Sequence, residues 1–159
     1  TIMKVIGIDP GYDRMGVAVL ERIEGTDTLL YSVCVLTDKK SSFSERLVVI
    51  GRELTTILTE HEPHLLGIET LFFNKNVKTA IDVAQARGII LYLAKTHNCN
   101  VMELSPQQVK VAVTGHGASD KTAVTAMVKR LVKNAPAKAH DDEYDAIAVG
   151  ITALAHYRE

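Results

Sequence analysis

No stretch of this sequence is apolar for long enough to cross a membrane. The longest such run, Gly88-Ile-Ile-Leu-Tyr-Leu-Ala94, falls far short of the roughly 20 residues a spanning helix needs. No basic-then-apolar signal segment opens the chain, so a soluble, cytoplasmic protein is the expectation. Cysteine is scarce. Cys34 and Cys99 form neither a CxxC pair nor a zinc spacing, which argues against a disulfide-built fold and fits two thiols in a reducing compartment. A surplus of positive charge is also missing: 18 Lys and Arg face 19 Asp and Glu, for a net charge of −1. Nucleic-acid binders are usually basic overall, and the balance alone would favour a small-molecule enzyme. Repeats, low-complexity tracts and long linkers are absent, and 159 residues suffice for one sizeable core. Thr1 and Ile2 precede Met3, so a single domain is counted over residues 3–159. A hydrophobic content of 47% is that of a folded chain rather than a disordered one.

Hydrophobic periodicity lays out the elements. Residues 3–9 read as a strand that ends in a Pro10-Gly11 turn, with further strands over 16–20 and 29–36 completing a meander. Residues 42–62 are helical, with Leu47, Ile50, Leu54, Ile57 and Leu58 at near-helical spacing, and Pro63 ends the helix. A short buried-type strand over 64–69 follows, then a helix over 77–97 and a strand over 100–103. Helices over 106–113, 119–133 and 142–157 close the chain, with Ser119 or Asp120 capping the middle one. Three strands in a meander, followed by strands alternating with helices, predict an α/β fold: a mixed five-stranded sheet flanked by helices, as in ribonuclease H-like proteins.

Acids stand where apolar segments end. Asp9 closes the first strand and Glu69 the fourth, and Asp142 and Asp145 share one face of the last helix's first turn. Each has a structural explanation: a turn residue before Pro-Gly, a strand meeting water, acids favouring a helix N-terminus. Together they can converge on one side of a sheet, where like charges are unfavourable unless protonated or bridged by cations. Magnesium takes oxygen ligands, and two such ions about 4 Å apart can activate water and stabilise a leaving oxygen in phosphodiester cleavage. No Ser-His-Asp arrangement is evident. Gly115-His-Gly-Ala-Ser-Asp-Lys-Thr122 is not a P-loop, because Asp120 stands where the glycine before lysine belongs. It reads instead as a helix entry near phosphate.

Five blocks in order resemble the RuvC family of Holliday junction resolvases. They are Ile6-Gly-Ile-Asp9-Pro-Gly11; Ile68-Glu69-Thr-Leu-Phe-Phe-Asn-Lys-Asn76 with Ala84-Gln-Ala-Arg-Gly88; Gln108-Val-Lys110; Val113-Thr-Gly-His-Gly117 with Lys121; and His140-Asp-Asp-Glu-Tyr-Asp-Ala146 with Ala148. The resemblance covers nearly the whole chain. It implies a four-carboxylate site of Asp9, Glu69, Asp142 and Asp145, catalytic and metal-binding, holding two Mg²⁺, with Mn²⁺ as a substitute. The position three before the last acid is Asp in some members and His in others, so whether Asp141 or His140 shares the role of Asp142 stays open. Thr70 after Glu69 and Tyr144 beside the last acid depart mildly from the pattern.

The resemblance also implies a substrate and partners. Four-way junction DNA would be cut by symmetric paired nicks, leaving 5′-phosphate and 3′-hydroxyl ends, after the RuvA and RuvB branch-migration proteins have acted. Phe72 is the implied wedge beside Phe73, where a base stacks on an aromatic ring. Lys110 and Lys121 are the implied phosphate-facing lysines; Lys75, Lys78 and Arg87 are further basic residues, and surface lysines are normally only solvated. Two Mg²⁺ would turn the net charge from −1 to about +3. Ala80, Ala84 and Gly88 recur every four residues, a narrow stripe that permits close helix approach. It could pack on the chain's own sheet, but the resemblance makes it the contact of a homodimer, in which a two-fold axis supplies a second active site. Two rivals remain: another ribonuclease H-like metal-dependent nuclease with a different nucleic-acid substrate, and a non-catalytic DNA-binding subunit. An actin-like or sugar-kinase ATPase would need two such domains.

Overall fold

A computed structural model describes residues 2–71 and 76–157. Within them the chain runs β1 (Met3–Asp9), β2 (Arg14–Ile23), β3 (Thr26–Leu36), α1 (Phe43–His61), β4 (Leu65–Glu69), α2 (Val77–Thr96), β5 (Asn100–Leu104), α3 (Pro106–Thr114), α4 (Lys121–Leu131) and α5 (Asp141–His156). The sheet order is β3-β2-β1-β4-β5. β1, β2 and β3 pair antiparallel, whereas β4 lies parallel to both β1 and β5. The expected mixed five-stranded sheet with flanking helices is therefore present.

The main difference from the sequence reading is the length of the first hairpin. Glu24 and Gly25 both take positive φ, the backbone of a two-residue hairpin turn whose twist matches that of its strands. The ladder then runs out to Ile23 opposite Thr26. The polar ends of β2 and β3 carry no apolar alternation, so periodicity alone stops short of them.

Side chains alternate across the sheet, and the two faces bury different helices. Ile6, Ile8, Met15, Val17, Leu66 and Ile68 pack with Ile50, Leu54 and Leu58 of α1 and Ala86 and Ile90 of α2. The other parity, Val5, Ala18, Leu20 and Leu65, packs with α3, α4 and α5. Each fully buried Ile or Leu contributes roughly 1.5–3 kcal/mol, which locks the strand register. A one-residue slip would turn all these side chains to the wrong face.

Helix ends follow local chemistry. Ser42 and Glu45 form a capping box at the start of α1, and Glu62 ends it in a left-handed conformation. Ser105 caps α3, with Pro106 in its first turn. Asp120 caps α4 by accepting the Ala123 N–H at 2.8 Å. The sequence reading left the choice between Ser119 and Asp120 open.

Candidate active site

Strand parity decides where two of the acids point. The parallel β1–β4 ladder pairs Val5 with Leu65 and Ile8 with Ile68. Asp9 and Glu69 are the next residues along. Counting in twos from Val5 and Leu65, both leave the sheet on the α5 side, at neighbouring strand ends. Asp142 and Asp145 arrive from above, in the first two turns of α5.

α5 reaches them because it rides unusually low on the sheet. A Cβ at Gly16 would stand 1.9 Å from the Asp142 carbonyl oxygen, and one at Gly7 would stand 2.1 Å from that of Ala146. Gly16 is also the residue paired with Asp9 across β1 and β2. Two glycines in strand interiors thus let the start of α5 settle directly over the end of β1.

The result is a concentration of negative charge in a partly dry place. Burial, together with the charges of Asp145 and Asp142, pushes the Asp9 carboxyl up to about 8, and a hydrogen bond with Asp142 and the charge of Glu69 act the same way. Burial also raises Glu69, with Asp145 adding to it and Lys110 and Lys121 opposing. Asp145 is raised by burial against the pull of Lys121. Two cations offset part of this charge: Arg14 Nε lies 3.2 Å from Asp142 Oδ2, and Lys121 Nζ 3.1 Å from Asp145 Oδ2. A cavity of about 300 Å³ opens between the acids, with Asp9, Glu69, Asp145, Lys110 and Lys121 in its wall.

Oxygen donors at this density suit a hard divalent cation, which would offset the burial and neighbouring negative charge that push the Asp9 carboxyl up. Among the described residues no three of these acids already stand close enough to share an ion. Asp142 and Asp145 are instead engaged with Arg14 and Lys121. The donor set therefore fits a metal, once those side chains exchange partners.

The expected site residues separate into several groups. Asp9, Glu69, Asp145, Lys110 and Lys121 surround one cavity. Asp142 lies beside Asp9 but turns toward Arg14 and the Cys34 thiol, 3.8 Å from its Oδ2. Asp141 is exposed and faces outward with Lys121 and Lys129, and His140 is an exposed residue at the α5 N-terminus. Lys78 is exposed on the first turn of α2, outside the cavity wall. Arg87 lies on the α1–α2 side, where it holds Glu103 at 2.6 Å. Phe72, Phe73 and Lys75 lie outside the described residues. On α2, Ala80 is buried, Ala84 half-buried and Gly88 exposed with open space where a Cβ would be. The face of α2 turned to solvent carries Ile81, Gly88 and Tyr92, displaced around the helix from the expected stripe.

Sequence reasoning missed Arg14, Gly7, Gly16 and Cys34. Glycine inside an apolar strand was the available signal for the close approach. The Arg14 pairing had none, because it depends on where α5 lands.

Comparison with known proteins identifies relatives of the chain. The family model described as crossover junction endodeoxyribonuclease RuvC matches residues 5–153. The crossover junction endodeoxyribonuclease RuvC of Thermosipho melanesiensis is 44% identical over 147 residues, covering 92% of this chain and 94% of the relative. That of Fusobacterium nucleatum is 38% identical, covering 96% and 80%. The structure of T. thermophilus RuvC in complex with a Holliday junction substrate superposes with a TM-score of 0.89 at 30% identity, covering 96% of this chain and 93% of that one. The yeast mitochondrial Holliday junction resolvase Ydc2, at 14% identity and a TM-score of 0.68 over 94% of this chain and 77% of its own, shares the fold.

Proposed function

The chain belongs to the RuvC family of crossover junction endodeoxyribonucleases, and on that premise we propose that it resolves Holliday junctions by metal-dependent hydrolysis of DNA phosphodiester bonds. One observation carries the reading. Asp9, Glu69 and Asp145 converge on a single cavity with Lys110 and Lys121 at its wall, and Asp142 stands beside Asp9. Carboxylates flanked by lysines suit cations and a phosphate.

Asp9, Glu69, Asp142 and Asp145 would hold Mg²⁺, two ions per site, with Mn²⁺ as a substitute. The ions supply Lewis-acid stabilisation of charge on the phosphate oxygens and a water activated for attack. The chain's own groups do the rest. As a ligand Asp9 would act as a carboxylate, any proton on it passing to solvent. Lys121 exchanges Asp145 for a phosphate oxygen, and Lys110, from α3, offers a second positive charge to the backbone. Asp142 would complete the carboxylate set on leaving Arg14, whose guanidinium could then face phosphate. The hydrolysis leaves 5′-phosphate and 3′-hydroxyl ends.

One cavity per chain makes one nick, so paired nicks call for a homodimer. The exposed Ile81–Gly88–Tyr92 face of α2, beside a groove of about 690 Å³ against α1, supports a two-fold contact there. Action after RuvA and RuvB is part of the same proposal, supported by family membership, and Phe72 is the proposed wedge at the crossover. A cytoplasmic location is part of the same proposal; no helix of the described residues is long and apolar enough to cross a membrane.

The deciding experiment incubates the protein with a synthetic four-way junction and with a linear duplex of the same sequence, in Mg²⁺ or in EDTA. Symmetric nicks in the junction alone, only with Mg²⁺, are expected. Equal cutting of the duplex would overturn the junction assignment, and cutting in EDTA would overturn the metal assignment.

A further inference from the structure

The turn that joins Asp9 to Arg14 is held from outside the cavity. It leaves β1 at Asp9 and enters β2 at Arg14, so it sets the places of one proposed ligand and of the cation on another. Thr37, just past β3, grips it twice: its N–H donates to the Asp13 carbonyl at 3.1 Å, and its hydroxyl donates to the Tyr12 carbonyl. Arg46 of α1 then binds the grip. Its Nε donates to Thr37 Oγ1 at 3.0 Å, and its Nη2 forms an ion pair with Asp13. The guanidinium lies over the Tyr12 ring, 5.0 Å from the centroid, and that ring meets Phe43 edge-on at 5.4 Å. The Arg46 side chain is only 11% exposed, and it is absent from the cavity wall.

We propose that Arg46 is a positioning residue for the metal site, a latch that fixes the Asp9–Arg14 turn through Thr37, Asp13 and Tyr12. The inference rests on the metal-dependent reading above. The planar, multi-donor guanidinium matters because a single side chain must meet a hydroxyl, a carboxylate and an aromatic face at once. α1 packs on the sheet face opposite α5, so the latch acts across the sheet edge and not through contact with substrate. Loss of a group hydrogen-bonded directly to a metal ligand typically costs 10–100-fold in metal affinity; Arg46 acts through the turn, so the lower end of that range applies.

The test measures thermal stability of the full chain against Mg²⁺ concentration, beside junction cleavage against Mg²⁺. Arg46→Ala should raise the Mg²⁺ midpoint of stabilisation about tenfold, and should raise the cleavage midpoint equally. At saturating Mg²⁺ its kcat should lie within about threefold of wild type, because no reacting group is removed. Arg46→Lys keeps the charge on Asp13 and should recover part of the shift. Should Arg46→Ala fail to fold, Thr37→Val removes the hydroxyl between Arg46 and the turn and carries the same expectation. A folded Arg46→Ala or Thr37→Val protein with the wild-type midpoint overturns the latch. A wild-type protein that Mg²⁺ does not stabilise overturns the metal reading itself.

Discussion

Replacing Asp9 by Asn should stabilise the metal-free protein while destroying its activity. Asp9 is raised from 3.8 to about 8 by burial and by Asp145 and Asp142. The unfolded chain therefore loses this proton near pH 4, whereas the fold keeps it until about pH 8. Across that window the folded state binds more protons, so stability falls as pH rises and levels off above about 8. A shift of this size sets a ceiling of about 6 kcal/mol. The acids share protons as a group, and Arg14 and Lys121 sit close to them, so the realised loss should be roughly 2 kcal/mol. For a chain of this length that is about 4–8 °C in Tm. Asn is nearly isosteric and has no charge to bury. In EDTA the two proteins should melt alike near pH 4, and Asp9→Asn should melt higher by about that margin at pH 8. Mg²⁺ should reverse the order, stabilising wild type as ligand linkage requires and leaving the variant almost unmoved. Cleavage should vanish in the variant and junction binding in a gel shift should persist, since removing a negative charge cannot weaken attraction to phosphate. A variant that melts below wild type at pH 8 in EDTA would refute the reasoning, as would an equal gain from Mg²⁺.

Gly16→Ala should cost at least tenfold in cleavage and about 1–3 kcal/mol in stability, because its Cβ would stand 1.9 Å from the Asp142 carbonyl oxygen; a wild-type rate at wild-type Tm would show that α5 does not depend on this approach. Gly88→Arg, at an exposed position with open space around it, should give a folded monomer by sedimentation equilibrium that leaves singly nicked junctions, and a dimer making paired nicks would move the interface elsewhere. Phe72→Ala should slow cleavage of an intact junction by about 1–3 kcal/mol and spare a pre-opened one. Equal losses on both, with a lowered Tm, would indicate a folding role instead.

The sequence alone was enough for the order and kind of the elements. It marked the acids at the ends of apolar segments, and through five ordered blocks it pointed to the family. These features are local: apolar periodicity, Pro and capping signals, and residue strings. Strand parity was also legible in principle, since Asp9 and Glu69 stand in even register with Val5 and Leu65 and so must share their face. Other features required the fold. Whether Asp142, Asp141 or His140 stands by Asp9 depends on where α5 meets the sheet, and that height is set by the absence of side chains at Gly7 and Gly16. The pairing of Arg14 with Asp142 joins residues far apart in the chain, with no sequence pattern to announce it. The small-residue stripe on α2 was visible as a period of four. Only the packing of α2 on the sheet turned Ala80 inward and left Ile81, Gly88 and Tyr92 to solvent, because a helix of 3.6 residues per turn drifts around its axis along such a stripe. Arg46, finally, reads in the sequence as one more basic residue on a helix; its grip on Thr37, Asp13 and Tyr12 exists only once β3 and α1 have brought the turn within reach.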